Sequence, residues 1–400
     1  MLFSLAVIFL VGLSAAAIFK AVGLPRIIGM LATGIVVGPY VLDLLDPSIL
    51  GISSELRQIA LIIILIKAGL SLNLSDLKKV GRPAVLMSFL PACCEIIAYV
   101  IFAPLLLGVN IIEAAVMGAV LSAVSPAVVV PRMVKLIEEK YGTEKSVPQM
   151  ILAGASCDDI FVIVLFSTFT SMAQGGSASA ADFLKIPVSI ILGVLLGSLC
   201  GLVIYFIFET AYRREHKIRN SAKVIVLLGT AFLLMSAENF LKPYVAVSGL
   251  LAVVAMSCVI KLRSEKTVSA RMSEKFGKLW IAAEIVLFVL VGAAVDIRYT
   301  LTAGLSALLM ILTALVFRAA GVLLCLIGTK LSAKEKAFCV IAYLPKATVQ
   351  AAIGSVPLSL GLPCGQIVLS VAVLAILITA PLGAIGIDKS YRRLLKREEE

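Results

Sequence analysis

The residues best placed to do chemistry are two neighbouring carboxylates, Asp158 and Asp159, in the run Gly154-Ala-Ser-Cys-Asp-Asp-Ile160. That run sits near the middle of an apolar stretch over 147–172. A charge at the centre of a bilayer costs about 2.5–3.5 kcal/mol on insertion scales, so such a residue is a functional candidate by default. Successive helical side chains point about 100° apart, which prevents the two carboxylates from forming one face-to-face dyad. One is expected to face a cavity while the other pairs with a neighbouring cation. A carboxylate withdrawn from water can take a proton or a hard alkali cation, and not both at once. Competition for one such site, exposed alternately to the two sides of a membrane, is a complete scheme for exchange. Hard cations take oxygen ligands. Carbonyls freed at helix breaks and the hydroxyls of Ser125 and Ser156 are the candidates to complete the set.

Other ionisable residues fall within apolar stretches. Arg318 cannot shed its charge by losing a proton, so it needs an acidic partner. Lys346 follows a proline inside another apolar stretch. Asp158 and Asp159 can serve these two cations as structural carboxylates, or bind the transported ion. Lys67 and Glu95 can pair with each other or reach other charges, and Lys67 near a helix end can instead snorkel to the interface. Glu284 has two readings, structural ion pair and transport. His216 lies in a basic loop and reads as a solvated residue.

The elements that position these groups follow from composition. The 400 residues are 61% hydrophobic and 15% charged, with a mean hydropathy of +1.09. Soluble domains are about a quarter charged, and disorder needs low hydrophobicity, so both classes are excluded. The single His, and eight Cys without C-x-x-C spacing, argue against zinc and against a disulfide framework. A bilayer needs roughly 17–25 apolar residues per helix. Thirteen stretches qualify, near 2–19, 26–42, 57–73, 84–107, 111–134, 147–172, 186–208, 222–240, 244–261, 279–295, 300–328, 336–357 and 365–387. The first lacks a basic start and reads as a span, not as a cleavable leader. Alternate connections carry the cations: 28 of the 35 Lys and Arg fall in the odd-numbered connections and the C-terminal end. Arg213, Arg214, Lys217, Arg219 and Lys223 form one such group, while the even connections hold only Arg57, Lys185, Lys242 and Arg298. The bias predicts an outside N-terminus and a cytoplasmic C-terminus. The net charge of +11 is therefore an orientation signal and implies no nucleic acid.

A weak internal repeat is also present. Pro25, Gly69 and Pro126 recur as Pro243, Gly292 and Pro345, at offsets of 218 to 223 residues. Seven helices separate the copies, so the halves run in opposite directions, as in many secondary transporters. Pro126 and Pro131 in the fifth stretch and Pro345 in the twelfth are expected to break their helices, because each removes a backbone donor. Broken backbone at membrane depth is tolerated only inside protein or beside a water-filled cavity.

These residues resemble the cation:proton antiporter superfamily, and particularly its NHA branch of sodium/proton exchangers. The likeness rests on Gly118-Ala-Val-Leu-Ser-Ala-Val-Ser-Pro-Ala-Val-Val-Val-Pro131, the Asp158-Asp159 pair, Tyr343-Leu-Pro-Lys-Ala-Thr-Val-Gln-Ala351 and Ala375-Ile-Leu-Ile-Thr-Ala-Pro381. It implies an all-α membrane protein of about 13 transmembrane helices, with inverted repeats and two crossed discontinuous helices, an NhaA-like antiporter fold. Dimerisation-domain helices would occupy 1–82 and 221–298, and core-domain helices 83–173 and 299–388. A linker helix would fill 174–220 and a cytosolic tail 389–400. The resemblance makes Asp159 the principal carrier of Na+ or Li+ and of the proton. Asp158 would assist it and contact Arg318 or Lys346, and Glu95 with Arg318 matches an ion-pair position. It also implies a likeness to homodimeric plasma (cell inner) membrane proteins that need lipid, but no cofactor and no nucleotide. Two departures are visible: Lys67 stands where the branch tends to carry Arg, and Arg318 where electrogenic bacterial members have Lys.

Rival functions have their own signatures. A potassium efflux system of the same superfamily and a sodium-coupled organic-anion symporter remain as alternatives. No Thr-Val-Gly-Tyr-Gly filter is present, as a potassium channel would need. The chain also lacks a Gly-x-x-x-x-Gly-Lys-Ser/Thr loop for an ATP-driven pump. An intramembrane aspartyl protease needs facing carboxylates, which adjacent residues of one helix cannot supply.

Overall fold

The computed structural model describes residues 1–71, 80–175, 180–215, 219–241, 245 and 247–398. Of the residues singled out above, His216, Lys217, Lys242 and Pro243 lie outside that description, as do the side chains of Ser156, Lys185, Arg213, Arg214 and Arg298. The described chain is helical, apart from one isolated antiparallel bridge between Tyr141 and Arg397. In order come α1 (Leu2–Ala21), α2 (Arg26–Val37), α3 (Pro47–Gly51), α4 (Ser53–Ser71), α5 (Arg82–Met87) and α6 (Leu90–Leu107). Next are α7 (Ile111–Leu121), α8 (Pro126–Glu138), α9 (Val147–Gln174), α10 (Ala180–Glu215), α11 (Asn220–Leu241) and α12 (Gly249–Arg263). The last six are α13 (Lys266–Ala293), α14 (Ile297–Cys325), α15 (Ala333–Ala342), α16 (Thr348–Ile353), α17 (Val356–Ser359) and α18 (Gly365–Leu394). Each of the thirteen apolar stretches holds helix. Among the described residues, nine segments are long and apolar enough to cross a membrane.

The fold comprises two compact units. The first takes in residues 1–54, 73–162 and 285–400. In it α1, α2 and the end of α13 approach through glycine. A Cβ added at Gly29 would stand 2.6 Å from the Ala15 carbonyl oxygen, and one at Gly38 would stand 2.8 Å from the Ala293 Cα. Elsewhere in this unit Gly321 of α14 lies against Pro91 and Cys94 of α6. Such small-residue contacts are how helices gain packing energy where lipid offers no hydrophobic drive.

Two short helices, α7 and α16, lie deep in this unit. Residues Ala114 to Leu121 of α7 and all six residues of α16 are buried, the mark of helices surrounded by protein. Each stands beside an interruption. Residues 122–125 separate α7 from α8, and α8 opens on Pro126, whose fixed φ and missing N–H suit a first helical position. Residues 343–347, including Pro345, separate α15 from α16, and Gly383 of α18 leaves room for the Pro345 ring. Pro131 corrects an expectation: it breaks nothing, and α8 continues through it to Glu138. It deprives one carbonyl, that of Ala127, of its helical donor, a loss a single turn absorbs.

The second unit comprises residues 55–72 and 163–284. Its tightest contact joins α10 to α12. Gly193, Gly197 and Gly201, spaced by four on one face of α10, lie on the backbone of Ser248, Ala252 and Met256. Lys67 and the buried Glu284 both belong to this unit, and Glu284 is the acidic group whose charge acts on Lys67.

This packing predicts opposite outcomes at two glycines. Gly197→Ala drives a methyl into the Ala252 carbonyl and should lower stability by about 1–3 kcal/mol. Gly229→Ala on α11 meets nothing within 4 Å and should gain up to about 1 kcal/mol from helix propensity. Thermal unfolding of the two purified variants in detergent reads both signs.

Candidate functional site

The site is built from the two interruptions and from residues of four helices, α6, α9, α14 and α18, each of those residues within the first unit. At the first interruption the Ser122 N–H still closes onto the Gly118 carbonyl and the Ser125 carbonyl accepts from Val128 and Val129, and between these ends side chains take over. Lys346 Nζ donates to the Leu121 carbonyl at 2.5 Å, and an Arg318 terminal nitrogen donates to the Ser122 carbonyl. Gln350 Nε2 donates to the Ala123 carbonyl at 2.9 Å. The Val124 N–H donates to Asp158 Oδ2 at 2.7 Å. The Ser125 N–H crosses to the second interruption and bonds the Pro345 carbonyl at 2.8 Å. There, Arg318 Nε bonds the Tyr343 carbonyl at 2.5 Å, and the Lys346 N–H finds Thr379 Oγ1 of α18 at 2.9 Å.

The same groups form an ion-pair cluster. Arg318, from α14, stands 2.9 Å from Glu95 of α6 and 3.2 Å from Asp158 of α9. Lys346 Nζ lies 2.6 Å from Glu95 Oε1 and donates to Oε2 at 2.8 Å. Glu95, Asp158, Arg318 and Lys346 are all fully buried, and the Arg318 guanidinium carbon also lies 5.5 Å from the centroid of the Tyr343 ring. Two cations meet two carboxylates, so this set of four is neutral with every member ionised. Partnering on this scale is what lets charges stay buried at all.

Asp159 stands apart. It follows Asp158 on α9 and is only partly buried. Its Oδ1 is shielded and has no hydrogen-bond partner among the described residues. Ser125 Oγ, Thr348 Oγ1, Gln350 Oε1 and Asp158 Oδ1 share that condition. Buried polar atoms are nearly always bonded in native proteins, so these bare oxygens call for an account.

Glu95, Asp158, Arg318, Lys346 and the Ser125 backbone thus converge at the interruptions. Lys67 and Glu284 belong to the second unit, and Glu95 takes Arg318 and Lys346 as its partners. Gln350, Tyr343 and Thr379 were not singled out from the sequence. Gln350 carried a usable signal, a lone amide one helical turn beyond Lys346 in apolar surroundings.

Arg318→Ala removes donors from two carboxylates and two carbonyls at once. Breaking a buried pair this way should cost about 3–5 kcal/mol. Arg318→Lys, which keeps the charge and loses the fork of donors, should fall between. Melting curves in detergent test the order; an alanine variant as stable as the parent would contradict the cluster's structural role.

Comparison with known proteins gives the chain its lineage. The profile of the transmembrane sodium/hydrogen exchanger family matches residues 5–388. Sodium/hydrogen exchanger 9B2 of Homo sapiens is 35% identical over 397 residues, spanning 94% of this chain and 71% of that protein. Its Xenopus tropicalis counterpart is 32% identical over 359 residues, 87% of this chain and 65% of that protein. The solved structure of the sodium proton antiporter MjNhaP1 from Methanocaldococcus jannaschii at pH 8 shares the fold, with a TM-score of 0.82 at 21% identity. That match covers 98% of this chain and 97% of the other. The chain therefore belongs to the transmembrane sodium/hydrogen exchanger family, as a multi-pass secondary transporter and not an enzyme.

Proposed function

We propose that the protein exchanges Na+ or Li+ for H+ across its membrane, by alternating access at Asp159 assisted by Asp158. One observation carries the reading. Glu95 and Asp158 balance Arg318 and Lys346, so an ionised Asp159 leaves the cluster one negative charge in excess. A bound proton or a bound alkali cation restores neutrality, and one carboxylate holds only one of them at a time. The bare oxygens of Ser125, Thr348 and Asp158 are of the type that a hard cation accepts as ligands. The relatives' names, which describe sodium/hydrogen exchangers, agree with this choice of ions.

The finer architecture belongs to the same reading. Thirteen crossings, inverted halves and crossed interruptions would let a core of residues 83–173 and 299–388 move against residues 1–82 and 221–298. The linker 174–220 would join them, and residues 389–400 would form a tail. The cation bias puts the N-terminus outside and the C-terminus in the cytoplasm of a plasma (cell inner) membrane. Two copies would assemble as a homodimer, with Na+ or Li+ and H+ as cargo and no resident cofactor.

Asp159→Asn tests the carrier directly, because the amide neither releases a proton nor carries a charge. In proteoliposomes, sodium-driven proton flux should fall to the level of protein-free vesicles. Flux near that of the parent would remove Asp159 from the role. The same vesicles given lithium or potassium, with the membrane potential clamped or free, rank the cations and read the charge moved per cycle. A response to potassium alone would favour an efflux system over sodium exchange.

A further inference from the structure

The peptide joining Ala123 to Val124 has an unusual pair of neighbours. Its carbonyl accepts from Gln350 Nε2 at 2.9 Å, and its N–H donates to Asp158 Oδ2 at 2.7 Å. In a trans peptide these two groups point in opposite directions, and there is no cis peptide bond among the described residues. Gln350, the peptide and Asp158 therefore form one continuous line of donors and acceptors. The amide's orientation is dictated by chemistry. Its nitrogen also lies 3.4 Å from the Leu121 carbonyl, and two carbonyl oxygens can be met only by the NH2 end.

This peptide lies in the interruption after α7, where no helical bond fixes its plane. Rotating it would break both hydrogen bonds together. A donor on the carbonyl also polarises the peptide and strengthens its N–H as a donor on the other side. On Asp158, Oδ2 receives both Val124 and Arg318, while Oδ1 has no hydrogen-bond partner among the described residues. The plane of the carboxylate, and the direction in which Oδ1 points, thus depend on a peptide that Gln350 holds. Gln350 is itself fully buried on α16, which follows the second interruption.

We propose that Gln350 is a positioning residue for cation binding, acting on Asp158 through the Ala123–Val124 peptide. The inference rests on the reading of Asp158 and Asp159 as the ion site. Gln350→Met removes the donor while keeping the length of the side chain, and Gln350→Glu keeps the shape with at most one donor. The sodium KM and maximal rate of both variants are measured in proteoliposomes, beside Asp159→Asn. Gln350→Met should raise the sodium KM roughly ten- to hundredfold, the usual effect of losing a group that orients a ligand. The maximal rate should stay within about threefold, and Gln350→Glu should show a smaller rise in KM. An unchanged KM, or a fall in rate alone, overturns the proposal. If the methionine variant does not fold, the KM of Gln350→Glu decides by the same criterion. Failure of both to fold makes Gln350 a folding element and also overturns it. Exchange that survives in Asp159→Asn would instead sink the carrier assignment, a result distinguishable from an unaltered KM at position 350.

Discussion

Everything at the centre of this protein depends on one requirement: backbone groups freed inside a membrane must find partners without water. Each unpaired peptide group in hydrocarbon costs several kcal/mol. The interruption after α7 frees three successive carbonyls, Leu121, Ser122 and Ala123. Three different side chains meet them, Lys346, Arg318 and Gln350. The two N–H groups that follow go to Asp158 and to the other interruption. The buried charges are thus caps first. Their ion pairs are what permits capping groups as polar as these to sit away from solvent.

That ordering changes how the buried charges are weighed. Replacing a buried ion network by packed apolar residues is often neutral or stabilising, so stability alone does not account for these four. An apolar set would leave the interrupted carbonyls bare, and without the interruptions no backbone oxygens or short-helix ends would reach the middle of the unit. Glu95 is taken up as the counter-ion of the capping cations, and Asp158 Oδ2 by Val124 and Arg318. Asp159 is the carboxylate of the cluster that the capping scheme does not use, and this sets it apart more firmly than its neighbour's identical chemistry would suggest.

Much of this was legible in the sequence wherever a residue contradicted its surroundings. A charge in an apolar stretch and a proline within a span are exceptions, and Asp158, Asp159, Arg318, Lys346, Pro126 and Pro345 announced themselves that way. The pairing of each donor with its carbonyl was hidden, because it depends on how distant segments are brought into register: Leu121 and Lys346 lie far apart in the chain. Pro131 misled because a proline one turn inside a helix looks, in sequence, like one that ends it. The glycines at 193, 197 and 201 were readable as a spacing of four, yet their close backbone contacts emerge only against α12. Gln350, a lone amide in an apolar run, could be noticed in the sequence, but the peptide it holds depends on how α7 and α16 meet and could not.

The choice of arginine at 318 follows from the same geometry. Its side chain meets Glu95, Asp158 and the carbonyls of Ser122 and Tyr343, four acceptors supplied by two helices and both interruptions. A guanidinium offers five donors in a rigid planar fork, whereas an ammonium offers three from a single atom. Only the fork can reach acceptors on opposite sides while holding the charge beside the Tyr343 ring. The consequence is electrical as well as structural. An arginine keeps its charge throughout, so the +1 at position 318 is a constant of the site. Whatever charge varies there must reside on the carboxylates or on Lys346. The residue that ties the two interruptions together is thereby excluded from carrying the proton.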